Sequence, residues 1–239
     1  MYINYKFKQR NKPDNLKLTC NNIDVKFVSE VKLLGVTIDN ELTFKTHTQQ
    51  ICKKVNSKTF LLAKSLYLFT DKFKPQLFKT FILPHFDYCS TLFQYLSNKS
   101  YSEHLDKCYN KSINRLIKIN VYSDILETQY NKLRKYNILP LKYRHFFRYS
   151  TFIYKTLKNN NSNLASRFRI NTKQTRSYYI LPNMKKDHIK YSFLYIASNL
   201  LNSFIADFLL INNKSNFRTM LEKNIVTLYN KSVKFWTKS

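Results

Sequence analysis

The residues able to do chemistry are few and scattered. Fourteen Asp and Glu stand against 41 Lys and Arg, leaving a net charge of +27 over 239 residues. Metal-assisted phosphoryl transfer needs carboxylates that converge on one spot, and no two aspartates are adjacent anywhere in the chain. No H-E-x-x-H or G-x-S-x-G occurs, so zinc-hydrolase and serine-hydrolase devices have no footing. Gly35 is the one glycine, which excludes the glycine-rich loops that cradle nucleotide phosphates. Two His/Cys pairs four residues apart, His85 with Cys89 and His104 with Cys108, have the spacing of ligands on one helix face. They are a zinc candidate, or two coincidences in a chain without C-x-x-C.

Cations at helical spacing are more abundant. An apolar arc of Ile51, Val55, Leu62, Leu66 and Phe69 predicts a helix over Thr46–Phe69, with Gln49 as capping-box partner of Thr46. Lys53 and Lys64 lie opposite that arc, and Lys54 and Lys58 flank it. A second helix is predicted from Ser100, capped with Glu103, with Leu105, Tyr109, Ser112, Ile113 and Leu116 inward. Lys107, Lys111, Arg115 and Lys118 then make a basic stripe along its other side. Such stripes bind phosphate backbones, or are plain solvated faces. The charge excess has a second source too. Lys, Asn, Ile, Tyr and Phe are abundant and Arg is scarce, the pattern of AT-rich coding DNA. A surface built to read bases would favour the Arg fork.

The remaining elements follow from punctuation. Tyr2–Phe7 alternates as a strand, and Asn11–Asn15, with Pro13, turns. Leu16–Cys20 and Ile23–Val28 flank Asn21-Asn22 as a hairpin. Val31–Ile38 reads as one buried strand, ended by Asp39 and Asn40. Lys72–Leu83 is a helix with Pro75 in its first turn and Pro84 at its end; His85–Leu96 is helical. Asp124–Tyr136 is a short helix, and Pro140 starts another over Leu141–Lys158. Tyr143, Phe146, Phe147, Ile153, Tyr154 and Leu157 point inward there, with Arg144, Arg148 and Lys155 outward. Aromatics at that spacing are core before they are base-stacking platforms. The chain is irregular up to Asp187. Helices over about Tyr191–Leu210 and Ser215–Lys231 complete it. Asn199, Asn202, Ser203 and Asp207 interrupt the apolar run Tyr191–Ile211, making it a buried helix instead of a membrane span. Widely spaced Cys20, Cys52, Cys89 and Cys108, with no apolar leader, read as reduced thiols in an intracellular protein.

Three segments carry a resemblance. Leu34, Gly35, Val36, Ile38, Asp39, Leu42, Phe44 and His47 fit L-G-V-x-[IL]-D, a gap, then L-x-F-x-x-H. Ile82–Ser90 is I-L-P-H-F-D-Y-C-S, and Ser192–Phe204 is S-F-L-Y-I-A-S-N-L-L-N-S-F. In that order they resemble the rear portion of non-LTR (LINE-type) retrotransposon reverse transcriptases, with Leu201 where the family usually has Trp. Of the cations above, only Arg115 also matches a family basic position. The resemblance implies the end of a palm, a thumb that holds the template–primer duplex, and a C-terminal helical region. It also implies that the Y-x-D-D aspartates and their Mg²⁺ belong to a palm portion outside these residues, leaving this chain with no cofactor of its own. The expected fold is mainly α with a small N-terminal antiparallel sheet. Its expected divisions are a palm-like segment over 1–45, a helical bundle over 46–120 and a C-terminal helical region over 121–239. The expected partners are a nucleic-acid duplex and the missing palm, not a membrane. A stand-alone basic binding protein and a degenerate reading frame are the rival readings.

Overall fold

The computed structural model describes residues 19–24, 26, 28–93, 99–123, 125–159, 163–168, 193–209 and 211–236. The expected strand Tyr2–Phe7 and turn Asn11–Asn15, and most of the stretch up to Asp187, lie outside them. The chain is mainly helical with small antiparallel strands near its start. It divides into two compact units, Met1–Asn120 and Val121–Ser239.

The first unit opens with two hairpins. β1 (Thr19–Cys20) and β2 (Ile23–Asp24) are joined by Asn21 and Asn22, both at positive φ, the turn for which Asn is suited. β3 (Glu30–Leu33) and β4 (Val36–Asp39) pair with Leu33 opposite Val36. The single buried strand expected over Val31–Ile38 is therefore a hairpin. Leu34 (φ 46°) and Gly35 (φ 85°) make its two-residue turn, whose twist matches that of the strands. β4 is buried and β3 is exposed throughout, so half of those apolar residues face outward.

Helix α1 runs Lys45–Lys64, and Leu66–Leu68 forms a tighter 3-10 turn. It starts without the expected capping box. Phe44 precedes it in a left-handed conformation, and the Thr46 hydroxyl reaches Glu30 instead. Asp39 takes the capping work: its carboxylate accepts from the backbone N–H of Glu41, Thr43 and Phe44. The next helix does not stop at Pro84. α2 (Lys74–Leu77) continues through a π-helical turn, Phe78–Ile82, into α3 (Leu83–Asp87). Leu83 N–H donates to the Phe78 carbonyl, five residues back. Proline removes one donor and crowds the carbonyl four residues before it, and a widened turn absorbs both. The break comes at Tyr88–Cys89, where Cys89 has φ 51°. Short α4 (Ser90–Phe93) follows, and α5 (Lys99–Ile117) already includes Lys99 before the expected start at Ser100.

The core of this unit sits where α1, α5 and the α2–α3 segment meet. Leu105, Tyr109, Ser112, Ile113 and Leu116 of α5 are all buried, as their spacing required. Phe78 and Phe86 both meet the Tyr109 ring edge-on, at 5.4 and 5.1 Å, contacts worth about 0.5–1.5 kcal/mol each beyond burial.

The second unit is helical: α6 (Leu126–Arg134), α7 (Leu141–Lys158), α8 (Phe193–Leu209), α9 (Lys214–Lys223) and α10 (Ile225–Trp236). α7 starts directly after Pro140, as expected. Tyr143, Phe146, Phe147, Ile153 and Tyr154 are buried. Tyr143 and Phe146 share the Tyr229 ring, and Tyr154 stacks on Phe217 at 4.2 Å. Arg144 and Arg148 are half-buried, not on an outer face, because α7 also buries Tyr149 and Ser150. The helix expected over Ser215–Lys231 is two, divided at Asn224, whose side chain donates to the Met220 carbonyl and so competes with continuation. Among the described residues, no helix is long and apolar enough to cross a membrane.

Candidate nucleic-acid interface

α1 and α5 lie side by side and run in the same direction. Cys108 Sγ stands 3.7 Å from Asn56 Oδ1, and the Thr59 hydroxyl donates to Ser112 Oγ at 3.2 Å. Arg115 then stands over the Phe60 ring, 5.3 Å from its centroid. The partners climb both helices together, from Cys52 and Cys108 to Phe60 and Arg115. Small side chains line this seam, which lets the helices approach closely.

The cations divide by this geometry. Lys53, Phe60 and Lys64 follow at i, i+7 and i+11 and so share one stripe of α1. Lys107, Lys111 and Arg115 follow at i, i+4 and i+8 on α5. All five cations are exposed. The two stripes meet at Phe60, where Lys64 Nζ lies 4.6 Å from the ring centroid and Arg115 reaches the same ring. Among the described residues neither Lys64 nor Arg115 has a carboxylate partner. Two like charges held on one aromatic ring repel each other, and an anion between them relieves that repulsion.

The other three candidates lie apart from this surface. Lys54 and Lys58 are exposed on the opposite flank of α1. There their charges, after burial, hold His85 below the usual imidazole range. Lys118 follows the end of α5 with φ 59°. Its N–H donates to the Asn114 carbonyl as a left-handed cap, and its charge acts on Asp71.

The first two segments that carry the family resemblance meet in space. The Tyr88 hydroxyl donates to the Leu34 carbonyl, and its ring lies beside Gly35, 3.7 Å from where a Cβ would stand. Asp39 closes the loop onto α1. His47 is buried, accepts from the Thr37 N–H at Nδ1 (3.4 Å) and packs edge-on against Phe93. Burial, then the Lys54 charge, pushes its titration down; Nδ1 is the accepting nitrogen, and Nε2 is buried without a hydrogen-bond partner among the described residues. Each of these residues has a structural task, and sequence spacing disclosed only the one at Asp39. Phe60 was missed altogether: nothing in a Lys-rich helix marks one exposed aromatic as the meeting point of two basic stripes.

The paired zinc-ligand reading fails on geometry. Cys89 lies in the turn after α3 and shares no helix face with His85. Cys108 turns inward to Cys52 while His104 is exposed. Among the described residues no three His, Cys, Asp or Glu side chains gather.

No family model, no curated protein and no solved structure matches this chain.

Proposed function

We propose that this chain is the rear portion of a non-LTR retrotransposon RNA-directed DNA polymerase, and that it grips the template–primer duplex by its phosphate backbone. The observation that carries the reading is the convergence of two basic helix stripes at Phe60. Phosphate contacts position a duplex without reading its sequence, which suits an enzyme that must copy any template. The gripping residues are Lys53, Lys64, Lys107, Lys111 and Arg115, with Lys54, Lys58 and Lys118 as outlying contacts. The carboxylates and Mg²⁺ that would do the chemistry belong to a palm portion outside this chain. The apolar residues left outward along the β3–β4 hairpin favour this over a stand-alone binding protein. Val31, Leu33 and Leu34 are exposed, Leu34 at 84%, and among the described residues β3 pairs with β4 alone. An uncovered apolar edge of that kind is what a severed sheet would leave.

Titration of the purified chain with a blunt RNA–DNA duplex over a series of salt concentrations tests the reading. The log of the binding constant should fall steeply against log salt, and each cation removed from the five should lower that slope by about one unit. A flat salt response, or a slope unchanged by removing all five, contradicts it.

A further inference from the structure

We propose that Cys52 and Cys108 form a redox-modification site: a hydroperoxide converts them to an intramolecular disulfide that staples α1 to α5. All four cysteines are free thiols, but only these two face each other. Cys52 and Cys108 occupy the same level of the seam between two parallel helices, and both are buried. Cys108 Sγ lies 3.9 Å from the Cys52 carbonyl oxygen and 3.7 Å from Asn56 Oδ1, one turn along the same face of α1. A disulfide needs Cα atoms within about 7 Å, and small residues along a helix seam are what allow so close an approach. Cys20 is exposed on the first hairpin and Cys89 half-buried in the turn after α3, each remote in sequence from the other and from this seam.

The pair also has a division of labour. The Cys52 thiol is pushed up and the Cys108 thiol drawn down, each chiefly by the other, while burial opposes ionisation of both. Cys108, with the Lys111 charge near it, is taken as the attacking sulfur, and its thiolate is the nucleophile. Its attack on the peroxide breaks the O–O bond and gives the sulfenic acid with loss of hydroxide. Cys52 then displaces that hydroxyl. The S–S bond forms, the Cys52 proton leaves with the hydroxyl as water, and the peroxide has taken up two electrons. A dithiol reductant reverses the change by exchange.

The test is alkylation of the unfolded product after treating the folded full-length chain with hydrogen peroxide. The count of reactive thiols should fall from the four in the sequence to two, and digestion should release one peptide pair joined through Cys52 and Cys108. The melting temperature of the oxidised chain should rise by about 5 °C or more, since the bond closes a long loop. In Cys108→Ser that rise should vanish and Cys52 should stay reduced. The doubly substituted Cys20→Ser, Cys89→Ser chain should lose both remaining thiols. Oxidation confined to Cys20 or Cys89, cross-links between chains, or a Cys52–Cys108 link that appears only in denaturant would overturn the proposal.

Discussion

Leu34 and Gly35 are under a tight backbone constraint, because both central positions of the β3–β4 turn have positive φ. Glycine meets it freely, and leucine meets it at a cost. Gly35→Ala should lose about 1–2 kcal/mol in urea unfolding from backbone strain alone, since a Cβ there would make only ordinary contact with Tyr88. Leu34→Asn should go the other way, gaining roughly 0.5–1 kcal/mol, because Asn tolerates that conformation and the Leu34 side chain is exposed. His47 makes a pH prediction. Unfolded, it titrates near 6.5; folded, burial holds it lower. Between those values the unfolded chain takes the proton and the native chain does not, so stability should fall as pH drops below about 6.5. His47→Gln should flatten that fall, leaving the share owed to His85, which is displaced in the same direction. Urea midpoints from pH 7.5 to 5 read both. At this scale the sequence disclosed Asp39, whose turn role follows from residue type. It did not disclose His47, whose partners Thr37 and Phe93 come from a strand before it and a helix far after it.

Helix existence is legible because periodic apolar faces persist over many residues: α5 buries its whole expected face, whereas α1 ends at Lys64 instead of Phe69 and leaves Leu62 and Phe69 half-buried, and α7 leaves Leu157 half-buried. Helix ends were less legible, for identifiable reasons. Pro84 was read as a stop, yet a π turn lets the helix pass through it; no periodicity rule senses that the widened turn keeps Phe78, Ile82 and Phe86 buried together. The expected Thr46–Gln49 box does not form: Asp39, five residues before Phe44, holds the start of the helix, and a local capping pattern does not register a partner that far back. The cost of undoing the interior is calculable: Phe86→Ala removes a ring 1% exposed and should cost about 3–5 kcal/mol. On the proposed duplex surface, helix phase separates two classes of lysine. Lys64→Gln with Lys111→Gln should lower the salt slope by about two units, whereas Lys54→Gln with Lys58→Gln should change it less and raise the His85 titration, followed by NMR. Equal slope losses from the two pairs would mean that the grip is not confined to the stripes meeting at Phe60.

Over the whole chain, the class was readable because one glycine and abundant aromatics leave little besides packed helices. The large positive charge was not decisive, since coding bias supplies lysines without regard to position; only their arrangement on two parallel helices gives the charge a place to act. With no two adjacent aspartates in the sequence, the purified chain should extend no primer on an RNA template with Mg²⁺; templated synthesis would contradict the assignment of chemistry to a separate palm. The most direct measurement is lysine footprinting: acetylate the chain free and bound to a blunt RNA–DNA duplex, and read each site by mass spectrometry. Lys53, Lys64, Lys107 and Lys111 should be protected together, while lysines of the second unit such as Lys142 and Lys223 stay as reactive as before. No protection, or protection shared evenly among lysines of both units, would contradict a duplex grip built on α1 and α5.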